Sequence, residues 1–221
     1  SEYRYAVADF ENLFHTVGDV DDRNTFLLQI SDYIGTYYVC FNTEDEVFSN
    51  PLVRKAFSLA IDRNYIVEQV TQTGEVPASG FVPAGIYDAE GAGHDDFRTV
   101  GGDYYSVAAE DYEANCEEAK ALLAEAGYPN GEGFPAIEYM TNDAGYHKPL
   151  AEYLQSAWGE LGIAMDIKVV EWATFTPTRR NGDYDIARNG WVYDYDDPSN
   201  MLNLMISGGG NNDGKYSNPE V

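Results

Sequence analysis

Residues 136–170 read AIEYMTNDAGYHKPLAEYLQSAWGELGIAMDIKVV and are enough to predict a fold class. The two ends, 136–141 and 163–170, are short and strand-like, and the second alternates apolar with polar residues. Between them, apolar residues recur at helical spacing over 146–161, and Gly162 is typical of a helix end. A strand, a helix and a strand in this order predict a βαβ unit with parallel strands.

Strands and helices on both sides of this unit extend the alternation. Downstream, the sequence predicts a helix over 172–180, a strand over 184–191 and a last helix over 197–206. The upstream predictions are strands at 26–30 and 37–41, helices at 51–61 and 65–71, a loop over 74–106, and a helix that begins at Asn115 with a capping box to Glu118. Residues 1–25 match no clear pattern. Alternating strands and helices predict an α/β lobe.

The charge composition excludes several classes of partner. Thirteen Lys and Arg face 38 Asp and Glu, which gives a net charge of −25. Nucleic acids and anionic membranes attract clustered Lys and Arg, so neither is expected as a partner. The acidity favours solubility in a salty or extracellular setting. No run of about 18 apolar residues predicts a membrane span, and the first residues do not resemble a signal peptide.

Sequence motifs for catalysis, metals and cofactors give no convincing match. No nucleophile elbow, P-loop or zinc-protease motif occurs. Residues 131–136 fit GxGxxA, but they precede a strand and contain a proline, so we interpret the match as false. Cys40 and Cys116 lack metal-ligand spacing and are either a disulfide of an exported protein or two small core residues. No metal site and no cofactor are therefore expected.

Ligands of open α/β sheets bind beyond the carboxyl ends of the strands. Here the predicted ends are 141–142, 171–172 and 190–191. Asp194 follows the last of them, where a carboxylate beside an aromatic wall suits a ligand ammonium group; the alternative is a surface turn. Asp197, by contrast, fits a helix N-cap.

Three basic side chains near these ends are candidates for an anionic ligand. Arg188 lies within an apolar strand, where a buried guanidinium needs an anion, either a ligand carboxylate or a local acid. Arg179 is another of the few basic residues. His147 follows a strand end and is either a crevice residue or a merely structural one.

A series of segments in chain order resembles the dipeptide/oligopeptide-binding family of extracellular solute-binding proteins, and most closely its oligopeptide-binding branch. These segments are GTYY at 35–38, FN at 41–42, VRKAF at 53–57, AIDR at 60–63, PA at 77–78, FVP at 81–83, AKALLAEAGY at 119–128, WATF at 172–175, Arg179, YDIARNGW at 184–191, DY at 194–195 and DP at 197–198. No single piece is decisive, but the ordered set is specific.

The resemblance implies a two-lobed, hinge-closing protein that delivers peptides to the permease of an ABC importer. Residues 26–221 look like one lobe of a type II periplasmic-binding-protein-like fold, similar to the family's C-terminal ligand lobe. The second lobe would contain stretches before and after these residues, and 1–25 match poorly. The family further implies export, either to the cell surface with a lipid anchor or to a periplasm, and no enzymatic activity.

The resemblance also implies roles for individual residues. By position, Asp194 is similar to the carboxylate that pairs with a peptide's N-terminal ammonium. The other implied ligand-binding residues are Gly190, Trp191 and Val192 through their backbone, Arg179, Arg188 and His147 toward a C-terminal carboxylate, and Asn142 at a side-chain pocket. Three alternatives stay open: a solute other than a peptide, such as a metal chelate, haem or an oligosaccharide; a carboxylate-based hydrolase; and a structural or surface-adhesion role for an acidic domain.

Overall fold

The computed structural model describes residues 34–88 and 94–218, which build a four-stranded mixed sheet with helices on both faces. The strands are β1 (Gly35–Phe41), β2 (Ile137–Asn142), β3 (Met165–Val170) and β4 (Ile186–Val192). Their spatial order is β1-β4-β2-β3. Strands β2, β3 and β4 are parallel, whereas β1 is antiparallel to β4.

Seven α-helical segments are described. They are α1 (Pro51–Leu59), α2 (Arg63–Tyr65), α3 (Phe97–Gly101), α4 (Tyr112–Glu125), α5 (His147–Gly159), α6 (Trp172–Asn181) and α7 (Ser199–Leu202). A π-helical turn, Ile66–Thr71, continues α2. No helix within 34–88 or 94–218 is both long and apolar enough to cross a lipid bilayer.

The predicted βαβ unit is confirmed as β2, α5 and β3. Helix α5 buries Leu150, Leu154 and Trp158, which are four residues apart and therefore line one face. The chain turns back at Gly162, whose φ of +82° lies in the left-handed region. Its carbonyl is so close to Gly131 that a Cβ on Gly131 would overlap it. The glycine of the GxGxxA match is thus needed for this close approach.

Successive residues of β1 and β4 point to opposite faces of the sheet. Their side chains therefore pack into two separate hydrophobic cores, one on each face. On one face, Tyr37, Val39 and Phe41 pack with the helices α1, α4 and α5. On the other face, Cys40 packs with Phe175 of α6. Both faces of the sheet are therefore covered along most of its length.

Some sequence predictions were wrong in detail. Helix α4 begins at Tyr112 instead of Asn115, because the 3₁₀ turn Ala109–Asp111 leads directly into it. The side chain of Asn115 donates to the Ser106 carbonyl at 3.0 Å instead of capping the helix. The last predicted helix stops at Leu202 and continues as a 3₁₀ turn.

Other predictions lie outside the described residues or had left alternatives open. The predicted strand 26–30 and the segment 1–25 fall outside the described part of the chain. Cys40 and Cys116 are both free thiols, so the disulfide alternative is wrong, and burial raises the pKa of Cys40. In the described parts of the predicted loop, 74–88 and 94–106, the regular structure is limited to α3 and an isolated bridge between Tyr87 and Asp96.

Trp158 joins α5 to α1 and gives a direct test of this core. Its ring is fully buried and lies 4.8 Å from the Phe57 ring, and its Nε1 donates to the Phe57 carbonyl at 2.9 Å. We expect Trp158→Phe to lower the free energy of unfolding by about 2–4 kcal/mol, because it leaves a cavity and an unpaired carbonyl.

Chemical denaturation followed by circular dichroism measures this loss. Trp172→Phe is the matched control, since Trp172 is 55% exposed, and we expect it to cost less than about 1 kcal/mol. Equal losses in the two variants would contradict the assignment of Trp158 to the core.

Candidate functional site

The carboxyl ends of the three parallel strands meet at one edge of the sheet, as the sequence predicted. Strand β2 ends at Asn142, and β4 ends at Val192. Strand β3 leads into α6, whose first residue is Trp172. The antiparallel strand β1 begins at the same edge with Gly35. Polar and aromatic side chains from three strands and two helices therefore converge there.

Strand β4 extends beyond its neighbour β2. The two strands pair only at Ile186 and Ala187. On the opposite side, the Tyr193 amide donates to the Ile34 carbonyl. Because backbone groups alternate between the two sides of a strand, those of Gly190 and Val192 face away from β1. Within 34–88 and 94–218, no strand pairs with that side of these two residues.

Arg188 is the cationic centre of this edge. Its Nε donates to the Asn142 Oδ1 at 2.5 Å, and its guanidinium lies 5.2 Å from the Trp172 ring and 5.1 Å from the Phe175 ring. Burial lowers the pKa of Arg188. No carboxylate among the described residues forms an ion pair with it. A half-buried cation is thus held in place without a counter-ion from the part of the chain that the structure describes.

His147, at the start of α5, lies close to this cation. Its ring stacks on Tyr37 with 5.6 Å between centroids, and its Nδ1 is 3.4 Å from the Tyr37 hydroxyl. Burial and the positive charge of Arg188 lower the pKa of His147 to about 4. The imidazole is therefore neutral near pH 7.

Arg179, predicted as a further cation for a ligand, already has an internal counter-ion. Its Nε lies 2.9 Å from the Asp213 Oδ2, and the two side chains are only 11% and 9% exposed. The same carboxylate oxygen accepts a hydrogen bond from the Asn189 amide at 3.2 Å. The structure thus distinguishes Arg179, which is neutralised, from Arg188, which is not.

This ion pair borders a small polar cleft of about 80 Å³. The cleft is lined, among others, by Tyr38, Arg179, Asn189, Gly190, Trp191 and Asp213. The Asn189 Oδ1 also accepts the Gly190 amide at 2.8 Å, so one side chain links the open edge of β4 to the ion pair. The cleft therefore lies beside the part of β4 that no described strand pairs with on the side away from β1.

The remaining predicted residues lie past the end of β4. Trp191 donates its Nε1 to the Asn200 Oδ1 at 2.7 Å, so part of its role is to hold α7. Val192 is 39% exposed. Asp194 is also exposed and has no hydrogen bond or ion pair with a described residue. Asp197 accepts the Ser199 amide at 2.8 Å just before α7, although the N-cap of this helix is Pro198 and not Asp197 as predicted.

Sequence reasoning missed three contributors to the site. Asp213 and Asn189 were not singled out, because Asp213 bonds with Arg179 and with Asn189, which lie 34 and 24 positions away in the sequence. Trp172 was noted only as a strand end, although its ring contacts a cation. Within 34–88 and 94–218, no group of three or more His, Cys, Asp or Glu side chains could hold a metal ion.

Comparison with known proteins gives a consistent family. Residues 8–213 match the model of bacterial extracellular solute-binding proteins, family 5 middle. The chain is 34% identical over 193 residues to the periplasmic oligopeptide-binding protein OppA of Salmonella typhimurium, which covers 87% of this chain and 33% of that protein. It is 32% identical to the oligopeptide-binding protein OppA of Bacillus subtilis over 87% of this chain and 34% of that protein.

Solved structures show the same fold. The Haemophilus influenzae OppA complex with the peptide RPPGFSPFR matches with a TM-score of 0.73 and 29% identity, over 96% of this chain and 39% of that chain. The unliganded open form of MppA, a periplasmic murein tripeptide-binding protein, matches with a TM-score of 0.72 and 32% identity, over 85% and 34% of the two chains. The four-stranded mixed sheet thus corresponds to part of a periplasmic-binding-protein structure.

The chain spans about a third of the length of the curated relatives it matches. The family consists of non-enzymatic solute-binding proteins, which confirms the expectation that the chain is not an enzyme. The family match extends over most of the sequence and agrees with the similar solved structures. The chain therefore belongs to family 5 of the bacterial extracellular solute-binding proteins.

Proposed function

We propose that this chain is the peptide-binding lobe of an ABC importer's solute-binding protein, which captures dipeptides or oligopeptides outside the cell and delivers them to the membrane permease. The observation that most supports this proposal is the guanidinium of Arg188, which is half-buried, fixed by Asn142 and without a carboxylate partner among the described residues. A chain with 38 acidic residues has many that could neutralise it. A half-buried cation that no described carboxylate neutralises suits a ligand carboxylate.

The open edge of β4 suits the ligand backbone. A peptide that adds as a strand uses its own amides and carbonyls for affinity, so peptides of many sequences can bind. The Gly190 carbonyl and the Val192 backbone supply matching groups on that side. At the far end, the free carboxylate of Asp194 suits the peptide's N-terminal ammonium. Charges at both ends would then fix the register of the ligand.

Localisation and partners follow from the same proposal. The named relatives include periplasmic proteins, and capture outside the cell membrane is what an importer's receptor does. A second lobe would close over the peptide, and the permease would recognise the closed form. Closure of two lobes also explains why one lobe exposes half of a binding surface.

A different solute is the main alternative. One relative, the Haemophilus influenzae heme-binding protein A, is 30% identical over 83% of this chain. Haem, a metal chelate or an oligosaccharide has no ammonium group for Asp194, so the dependence of binding on a free amine separates these ligands from peptides. A carboxylate-based hydrolase is disfavoured by the family.

Arg188→Gln tests the carboxylate site. We expect the ¹⁵N-labelled chain to bind trialanine weakly, because one lobe offers half of the contacts, and we expect the variant to lose about 10- to 100-fold in affinity with the loss of a charged hydrogen bond. Titration followed by amide chemical shifts measures both. Lys120→Gln removes the same charge from an exposed site on α4 and should bind as the parent does. Unchanged binding by Arg188→Gln would refute the site.

Asp194→Asn and an N-acetylated peptide together test the ammonium site. The parent chain should prefer trialanine over N-acetyl-trialanine by about two- to fivefold, since the carboxylate is exposed and screened. Asp194→Asn should abolish this preference, whereas Asp196→Asn, two residues further on, should retain it. If the parent chain binds both peptides equally, Asp194 does not bind the amine.

The protonation of His147 should report on occupancy at Arg188. A carboxylate that neutralises Arg188 removes one of the two causes of the low pKa, so we expect the His147 pKa to rise from about 4 when peptide binds. Peptide binding then takes up protons, and affinity increases as pH falls from about 6.5 toward 4. NMR titration of the His147 ring with and without peptide checks this, and His147→Gln should remove the pH dependence. A pKa unaffected by peptide would place the carboxylate elsewhere.

The same shift affects stability with a defined sign. Because the His147 pKa is lower in the folded chain than in the unfolded one, the unfolded chain binds more protons between pH 6.5 and about 4. The contribution of His147 to the free energy of unfolding is complete above pH 6.5 and is lost as pH falls toward 4. His147→Gln should therefore flatten this part of the stability profile.

A further inference from the structure

Two guanidinium groups lie near the same aromatic ring but differ in their charge balance. Arg179 lies 5.2 Å and Arg188 lies 5.1 Å from the Phe175 ring centroid. Arg179 also reaches the Arg188 carbonyl with its Nη1 at 3.4 Å. Both are therefore part of the same edge of the sheet, and either could receive an anion if it were free.

Asp213 makes the two guanidinium groups different, because its carboxylate forms an ion pair with Arg179. Its carboxylate comes from the segment after α7, far in sequence from the sheet, and lies 2.9 Å from the Arg179 Nε. The amide of Asn189 supports the same oxygen at 3.2 Å. The position of the carboxylate is fixed by backbone bonds as well, since the Asp213 carbonyl accepts the Tyr184 hydroxyl at 2.7 Å. Because both side chains are buried, we expect the ion pair between Arg179 and Asp213 to stay formed.

We propose that Asp213 determines which ligand charges the site accepts. It neutralises Arg179, so the cleft beside Gly190 takes an uncharged polar side chain. A ligand carboxylate then binds only at Arg188. The proposal rests on the peptide-binding function. A cleft of about 80 Å³ that borders the part of β4 that no described strand pairs with on the side away from β1 lies where the side chain of an added strand would enter. The buried charges of Arg179 and Asp213 in this cleft cancel, and the Asn189 side chain offers hydrogen bonds to a ligand side chain.

Arg180 also borders the cleft but does not change this balance. Its side chain is exposed and has no ion-pair partner among residues 34–88 and 94–218. Water and salt screen an exposed charge strongly, whereas a charge left alone in the buried pair is screened little. The charge preference of the cleft therefore depends mainly on the balance between Arg179 and Asp213.

A set of variants of the 24.6 kDa chain that removes each buried charge singly and then both together tests the proposal. The variants are Asp213→Asn, Arg179→Gln and the double variant, which leave the buried site with a net positive, a net negative and no charge. The probes are the tripeptides Ala-Gln-Ala, Ala-Glu-Ala and Ala-Lys-Ala, which are similar in size. Amide chemical shifts give the affinities, and the dispersion of each spectrum reports whether the variant is folded.

The parent chain should bind the Gln and Glu peptides within about twofold of each other. Asp213→Asn should favour the Glu peptide by about fivefold or more, since an uncompensated guanidinium attracts a carboxylate. Arg179→Gln should favour the Lys peptide, and the double variant should return to the parent ratio. The same ratios in all four chains would overturn the proposal, as would a strong preference of the parent chain for Glu.

Two features keep the test decisive. Removing one member of a buried pair is destabilising, but the double variant avoids a lone charge, and Arg179→Gln makes the opposite prediction from Asp213→Asn. Sodium acetate is the second probe: in the parent chain it should perturb the Asn142 side-chain amide beside Arg188 and leave the Asn189 side-chain amide unshifted, whereas in Asp213→Asn it should also shift the Asn189 side-chain amide, which lines the cleft. If no peptide binds the parent chain, the proposed function fails, and acetate still decides the role of Asp213.

Discussion

The pairing between β2 and β4 ends at Ala187, whereas β4 continues to Val192. Beyond that point, the residues whose backbone groups face away from β1, such as Gly190 and Val192, need partners on the open side. Asn189 supplies one for the Gly190 amide, and Arg179 reaches the Arg188 carbonyl. The candidate site is the consequence of this early separation of two parallel strands, because it creates both an open strand edge and room for a guanidinium.

The balance of charges at this edge differs sharply from that of the whole chain. Although the sequence has a net charge of −25, the Arg188 guanidinium is supported by an amide oxygen and two aromatic rings instead of an acid. Among residues 34–88 and 94–218, Asp213 is the one acidic residue that is buried, and its carboxylate pairs with Arg179. A protein that binds anionic groups within an acidic surface must keep its cation away from its own acids, and burial among neutral groups achieves this.

The local features of the fold were predictable because their causes are local. Asn50 accepts the Leu52 amide and Asp62 accepts the Tyr65 amide, as expected for N-caps. The βαβ unit followed from periodicity and a terminal glycine. The start of α4 was not predictable in this way, because a 3₁₀ turn before Tyr112 competes with the capping-box pattern at Asn115, and tertiary contacts choose between them.

The sequence by itself determined the α/β class, the strand ends where a ligand would bind, and the family to which the ordered segments belong. These depend on short-range patterns and on residue order. Only the tertiary structure decided that β1 is antiparallel to β4, that Arg179 is neutralised while Arg188 is not, and that His147 is uncharged. Counter-ions and desolvation arise between residues distant in the chain, such as Arg179 and Asp213, so no local pattern can encode them.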